Sequence, residues 1–358
     1  MNTFDKFSVL FWEDRFFTPK KAYELGQVST DILNWDAAVL RDLRDRVAVF
    51  DDAAAQMLAA PSHETVYAAQ EKLNAVFEIV KAFPPYCDLK MDWFSSYSLF
   101  PLLYEKEPDR WNAAMSNGTP EYQEFRDFLR RVSELPERLD VFRSQIMLVL
   151  EGFFENLPKR NPKAYAAAYA EYYESVAAGG AFFFPDIEFE QSFPANLKFI
   201  AVTFKDQPGV PVLAEETQFG ELHAFLYSDF YRGLMHGNAP RRCHNCGRYF
   251  LTTRGYNTCY CNNIAPNETE RTCRQVGAHR VEAILWAGDT PLLQEYATTI
   301  NRIKAQRRTG KISRADFTDF EDTAKTILKR VELGELTDVE AIRQLSQISR
   351  LRNRKRKK

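Results

Sequence analysis

The chain has 358 residues, of which 45% are apolar and 27% charged, and its formal net charge is −2. This composition excludes a largely disordered chain, and the length predicts two domains or so. No apolar run reaches the roughly 18 residues of a membrane span, and the N-terminus lacks the basic region of a secretory signal, so we expect a cytoplasmic protein.

Helical spacing of apolar residues dominates roughly the first half of the chain. It predicts helices over residues 31–50, 122–132 and 141–154, with a break near Pro136. An aromatic stripe over residues 165–176 is typical of core packing, and a wall of a ligand site is the alternative. The first part of the chain is therefore predicted to be mainly helical.

The period then changes to that of strands. "KFIAVTF" and "VPVL" flank a Pro-Gly turn and predict a β-hairpin near residues 198–213. A helix is expected from about Phe219 to Met235, and His236–Pro240 is expected to be its end and a short linker. The predicted fold class is mainly α with a small β element.

Further helices are predicted in the last third of the chain. They begin near Cys273, at Pro291, at Ser313 and near Thr337. Ser313 with Asp316, and Thr337 with Glu340, have the spacing of a capping box.

These elements predict four parts. A mainly helical N-terminal domain occupies residues 1–238, and a four-cysteine zinc-binding module occupies 239–288. A helical segment at 289–349 and a basic tail at 350–358 follow.

Five of the six cysteines lie between Cys243 and Cys273. Cys243 and Cys246 have the two-residue spacing of a zinc-binding turn, and Gly247 lets the backbone donate N–H groups to the sulfurs. "RYFLTT" and "YNTCYC" are expected to form a hairpin after this turn, and Cys273 is expected to begin a helix, where a thiolate is favoured. A redox pair is the alternative, but that type usually opens a helix in a βαβ unit.

The alternation of side chains along a strand does not decide which cysteine is the third zinc ligand. Cys259 and Cys261 would point to the same face of a strand. An aromatic-Cys pair at the end of the returning strand resembles zinc ribbons and favours Cys261. His244 is expected to point outward, and His279 is not on the helical face of Cys273, so neither is expected to bind the metal.

The segment "CHNCGRYFLTTRGYNTCYCNNIAPNETERTCRQVGAHR" resembles the C-terminal zinc-binding segment of a bacterial family of unknown function, whose pattern is C-x-N-C-G-[KR]-Y-F, Y-C-[DN] and T-C-[KR]-x-x-G. The resemblance implies Cys243, Cys246, Cys261 and Cys273 as ligands of a structural Zn²⁺ and leaves Cys259 out. The segment is more distantly similar to the CGNR-type zinc fingers of transcription regulators. Here "TCRQVGAHR" replaces the Cys-Gly-Asn-Arg run, so the resemblance carries a site rather than an activity.

Charge is distributed unevenly along the chain. Residues 241–358 contain 24 Lys and Arg against 13 Asp and Glu, a balance of +11, and residues 1–240 contain 23 against 36, a balance of −13. The basic part is expected to attract a polyanion or the acidic part of the same chain. The tail at 350–358 contains seven cations and is expected to contact nucleic-acid phosphates without preference for base sequence.

Arginines surround the predicted zinc site. Four thiolate ligands give the zinc centre a net charge of about −2, and two or three arginines could balance this charge. The others, with basic residues from Arg302 to Arg314, form a candidate phosphate-contacting surface. The candidate nucleic-acid contacts at the zinc module are Arg241, Arg242, Arg248, Arg254, Arg274 and Arg280.

The sequence contains no G-x-S-x-G, P-loop, H-E-x-x-H or G-x-G-x-x-G motif. These absences favour a protein without enzymatic activity, and an enzyme unrelated to the zinc is a third hypothesis. The leading hypothesis is a zinc-stabilised nucleic-acid-binding protein, regulatory and DNA-binding. The alternative is a zinc-dependent protein-interaction module without enzymatic activity.

Overall fold

A computed structural model describes residues 2–92, 99–175, 195–204, 209–253, 258–277, 291–332 and 335–348. Contacts divide the chain into two compact units, Met1–Cys261 and Asn262–Lys358. Helices dominate, and antiparallel sheets are small, so the predicted fold class is confirmed. The predicted boundaries at residues 238, 288 and 349 stay predictions.

The first unit contains an antiparallel five-stranded sheet. Its strands are β1 Phe7–Trp12, β2 Arg15–Phe17, β3 Ala22–Glu24, β4 Ala195–Val202 and β5 Val212–Phe219, in the order β3-β2-β1-β5-β4. In β1 the buried residues Phe7, Val9 and Phe11 alternate with partly exposed ones, so one face packs on the core.

The hairpin near residues 198–213 is confirmed, because β4 and β5 pair with Val202 opposite Val212. β5 extends to Phe219, where the sequence predicted the start of a helix. No strand was predicted at β1, β2 or β3. "FSVLFW" has apolar residues on both faces, which hides the period of two that identifies a half-buried strand.

Helices cover this buried face of the sheet and complete the core of the first unit. They are α1 Gln27–Leu33, α2 Ala37–Ala59, α3 His63–Val80, α4 Phe100–Lys106, α5 Pro108–Met115, α6 Pro120–Val149, α7 Pro162–Ser175 and α8 Leu222–Met235. α6 continues through Pro136 and into a π-helical turn at Leu150–Phe154, so the predicted break is wrong. Leu135 and Leu139 are buried on either side of Pro136, and their burial outweighs one missing hydrogen bond.

The aromatic stripe predicted over residues 165–176 lies on α7. Tyr165 and Tyr172 are each 1% exposed, which confirms the interpretation as core packing. Residue 176 lies outside the described part of the chain. No helix in the described ranges has the length and apolar character needed to cross a membrane.

A buried carboxylate joins α8 to α1. Asp229 accepts hydrogen bonds from the backbone N–H of Gly26 and of Ser29, both at 2.8 Å, and from the Ser29 hydroxyl at 2.9 Å. Burial raises the pKa of Asp229 to about 6, although these donors oppose the shift. One turn further along α8, a Cβ at Gly233 would lie 3.0 Å from the Gly26 Cα. This close contact fixes α8, whose end leads directly to the cysteine segment.

The second unit has its own helical core. Its helices are α9 Pro291–Arg308, α10 Arg314–Glu332 and α11 Asp338–Ile348. Buried residues from all three form this core: Leu292, Ile303, Ile312, Ala324, Ile327, Ala341, Leu345 and Ile348. Both predicted capping boxes are confirmed, because Ser313 and Asp316, and likewise Thr337 and Glu340, exchange side-chain-to-backbone hydrogen bonds.

Candidate metal centre

The first two clustered cysteines lie in a tight turn between two short strands. β6 Ala239–Arg242 and β7 Tyr249–Thr252 pair in antiparallel fashion, and residues 243–248, here called the knuckle, connect them. The Cys243 N–H donates to the Arg248 carbonyl, and the Gly247 N–H donates to the Cys243 carbonyl, both at 2.8 Å. Gly247 has φ +74°, a left-handed conformation that glycine adopts without a steric penalty.

This arrangement corrects the predicted order of elements. "RYFLTT" does form a strand, but it pairs with the strand before the knuckle. It does not pair with residues 258–261, the described part of "YNTCYC". Ala239 and Pro240 were expected to belong to a short linker and are instead part of strand β6. Residues 258–261, expected to be in a strand, form none. Ala239 is fully buried and its carbonyl accepts from the Thr252 hydroxyl at 2.8 Å, so tertiary burial selects this pairing.

The hairpin is fastened to helices of the first unit. The Asn34 side chain donates to the Tyr249 carbonyl at 2.8 Å and accepts from the Tyr249 N–H at 2.7 Å. The Tyr249 hydroxyl donates to Glu151 at 2.7 Å. Tyr249 is 6% exposed and belongs to the buried core of the first unit. The knuckle is therefore held by the first unit's own core.

Four cysteines converge at the knuckle. The sulfurs of Cys243, Cys246, Cys261 and Cys273 all lie within 4.8 Å of one another, and Cys246 and Cys261 are 3.7 Å apart. A tetrahedron with Zn–S bonds of about 2.3 Å has sulfurs about 3.8 Å apart. All six cysteines are free thiols. The geometry therefore fits one tetrahedral metal ion with four thiolate ligands.

Cys259 is not part of the cluster, as the resemblance implied. Its carbonyl accepts from the His244 N–H at 2.9 Å, which ties the knuckle to the chain leading to Cys261. The His244 imidazole lies 2.8 Å from Glu155 and is exposed, in agreement with the expectation that it points outward. His279 lies outside the described residues.

Backbone donors favour the thiolate form of Cys243. Burial raises the pKa of this thiol, but the N–H groups of Cys261, Cys246 and Asn245 together lower it to about 7. The Cys261 N–H lies 3.4 Å from the Cys243 sulfur. A thiolate is the form that binds a metal, so the knuckle is electrostatically prepared for a cation.

The fourth cysteine begins a helical turn at residues 273–277, as predicted. Thr272 and Gln275 form a capping box: the Thr272 hydroxyl accepts from the Gln275 N–H, and the Gln275 side chain accepts from the Thr272 N–H. The Cys273 N–H donates to the Asn263 carbonyl at 2.8 Å, which closes the loop between the third and fourth cysteines. The remainder of the predicted helix, residues 278–287, lies outside the described part.

The arginines predicted to contact nucleic acid have unequal surroundings. Arg241 is 9% exposed and donates to the Thr258 carbonyl at 2.8 Å, so it supports the fold instead of facing a ligand. Arg242 is exposed but lies 3.4 Å from Glu151. Arg248 and Arg274 are exposed. Arg254 and Arg280 fall on residues that the structure does not describe. The neutralising carboxylate of Arg242 is about ninety residues away in sequence, which is why spacing could not identify it.

Two features of the first unit could suggest an enzyme, namely a buried histidine and a large concavity. In both, charged or polar side chains are paired with neighbours. His223 is buried between Glu221 and Arg138, each 3.1 Å from one ring nitrogen. A concavity of about 800 Å³ lies on the outer face of the sheet, and there Lys198 pairs with Glu216 at 3.0 Å.

Residues 190–357, somewhat less than half of the chain, match the model of a protein family of unknown function (DUF6076). The matched region includes the four clustered cysteines and the helices α9, α10 and α11. Searches of curated proteins and of solved structures found no match. The similarity is in line with the resemblance to a family of unknown function. A bacterial origin and the similarity to CGNR-type zinc fingers stay predictions.

Proposed function

We propose that the protein is a zinc-stabilised nucleic-acid-binding protein with a regulatory, DNA-binding role. The observation that carries the proposal is the +11 charge balance of residues 241–358, in the same stretch as the four-cysteine cluster. An excess of positive charge on part of a protein attracts polyanions and gives binding that depends on salt.

The metal's part in this proposal is structural. Cys243, Cys246, Cys261 and Cys273 would hold zinc, which supplies a cross-link among the knuckle, Cys261 and the helical turn at residues 273–277. Four thiolates complete a tetrahedron and leave no open position for a substrate, unlike a catalytic zinc site. Three of the four cysteines are buried and the fourth is half-buried, which is typical of a closed site.

The proposal is tested by fluorescence anisotropy with labelled DNA and RNA, as single strands and duplexes, across a salt series. We expect the logarithm of the association constant to fall linearly with the logarithm of the salt concentration, because phosphate contacts release counterions. The absence of binding to every nucleic acid, or binding insensitive to salt, would contradict it. That result would favour the zinc-dependent protein-interaction module instead.

A further inference from the structure

A basic concavity lies at the corner between α9 and α10 in the second unit. Lys304, Arg307, Arg308 and Phe317 line a space of about 430 Å³. The three cations are exposed, and Phe317 is partly buried because it also packs against the second unit's core. Among the described residues, the lining therefore combines positive charge with one aromatic ring and contains no acidic side chain.

The described residues do not neutralise the charge of this corner. Among them, no carboxylate lies within 4.0 Å of the side-chain nitrogens of Lys304, Arg307 or Arg308. Elsewhere in the same unit, Lys325 pairs with Glu321 at 3.2 Å, and Arg330 pairs with Glu335 at 3.2 Å. Cations without such a carboxylate keep their full attraction for an external anion.

Two acidic residues near the corner in sequence already have partners. Asp316 accepts hydrogen bonds from the N–H and the hydroxyl of Ser313 in the capping box of α10. Glu321, one helical turn after Phe317, pairs with Lys325. The corner therefore differs from the metal centre, where Arg242 faces Glu151 and Arg271 pairs with Glu268.

Helix-end stabilisation accounts for only part of the cluster. Arg307 and Arg308 lie in the last turn of α9, where positive charge interacts favourably with the helix dipole. Lys304 lies one turn earlier, and Lys311 and Arg314 follow the helix end, all three exposed. These positions exceed what a helix terminus requires.

The aromatic ring gives the corner a stacking surface. The Arg307 guanidinium lies over the Phe317 ring, 5.0 Å from its centroid. A planar guanidinium on an aromatic ring is a flat surface on which a nucleobase can stack. A duplex keeps its bases inside the stack, whereas a single strand can place a base in a concavity.

We propose that this corner binds a nucleotide of a single-stranded nucleic acid. Lys304 and Arg308 contact backbone phosphates, and a base stacks on the surface that Arg307 and Phe317 form. The inference rests on the proposed function and locates its principal contact in the second unit, in residues other than the arginines of the metal centre.

The phosphate contacts are tested with the full-length double variant Lys304→Gln, Arg308→Gln and a labelled single-stranded oligonucleotide of mixed sequence. The matched control is Lys325→Gln, Arg330→Gln, which removes the same charge from the same unit at paired positions. We expect the first variant to bind about tenfold more weakly. The slope of log affinity against log salt concentration should be smaller by about 0.7 for each phosphate that the variant no longer binds. The control is expected to keep the parent's affinity and slope.

Stacking is tested with Phe317→Leu against Phe320→Leu, since both phenylalanines pack on the second core but only Phe317 lines the concavity. We expect about tenfold weaker binding for the first and parental affinity for the second. Melting temperatures measured for all variants confirm that they are folded.

Equal effects in the variant and control pairs, or tighter binding of duplex than of single strand, would overturn this inference while leaving the proposed function standing. A parent protein that binds no nucleic acid would overturn both.

Discussion

At the scale of single residues, the four clustered cysteines are positioned by backbone hydrogen bonds. The Cys243 N–H and carbonyl are both used within the knuckle, and the Cys273 N–H is held by the Asn263 carbonyl. These backbone hydrogen bonds help to hold the first and last cysteines of the cluster where their sulfurs lie close to the other two.

Replacing one cluster cysteine should abolish stoichiometric zinc binding. We expect the parent protein to contain a single zinc ion and Cys261→Ser to contain little, because three thiolates hold structural zinc weakly. Elemental analysis of protein purified without a histidine tag measures this. Cys259→Ser is the control and should keep its zinc, since Cys259 is outside the cluster. Zinc lost only with Cys259→Ser, or a parent without metal, would refute the assignment.

The conformation of Gly247 should matter for metal affinity. Gly247→Ala places a side chain at φ +74° with no neighbouring atom within 4 Å, so the change adds backbone strain alone, about 1 kcal/mol. We expect about fivefold weaker zinc binding in competition with a chelator. Gly310→Ala, at φ +69° and equally open, is matched in strain but distant in sequence from the knuckle. If both variants bind zinc alike, the knuckle does not depend on this glycine.

At the scale of elements, the contact between α8 and α1 determines where the cysteine segment begins. Asp229 supplies hydrogen-bond acceptors to the first turn of α1, and Gly233 lets the two backbones approach. After α8, His236 and Gly237 end the helix, and β6 starts at once. The position of the knuckle therefore follows from a packed interior contact and not from a linker.

Gly233→Ala should destabilise the protein. The added Cβ would lie 3.0–3.1 Å from backbone atoms of Gly26 and Leu25, which cannot move as a flexible side chain would. We expect a decrease of about 1–3 kcal/mol in unfolding free energy, measured by urea denaturation. Gly152→Ala, in the π-helical turn with nothing within 4 Å, is the control. It should be neutral or stabilising by about 0.5–1 kcal/mol. Equal stability of the two variants would contradict the close contact.

At the scale of the whole molecule, the hairpin that carries the knuckle is part of the first unit's core. Ala239 and Tyr249 belong to that buried cluster, and Asn34 binds both backbone groups of Tyr249. Many zinc modules are unfolded without their ion. Here the apolar core supports the strands, so removal of the metal should affect a limited region.

Chelation of the metal should therefore leave most helical structure intact. We expect far-ultraviolet circular dichroism to change little, while trypsin cleaves faster within residues 243–273, where thiolates without a cation repel one another. Added zinc should restore the protection. A cooperative decrease of the helical signal on chelation would show instead that the metal stabilises the entire first unit.

The sequence by itself determined the local features of this protein. The spacing of Cys243 and Cys246, Gly247 after them, and the capping boxes of α10 and α11 are set by groups within a few residues of one another. Helical periodicity likewise identified α2 and the helices of the second unit, because one buried face repeats every 3.6 residues or so.

Only the tertiary structure decided which distant groups meet. It extended α6 through Pro136, paired β6 with β7 around the knuckle, and buried Arg241 while leaving Lys304 and Arg308 exposed. These outcomes depend on burial and on partners such as Asn34, about two hundred residues from Tyr249 in the chain. The free energy of such contacts arises only when the chain is folded, so no local pattern in the sequence records it.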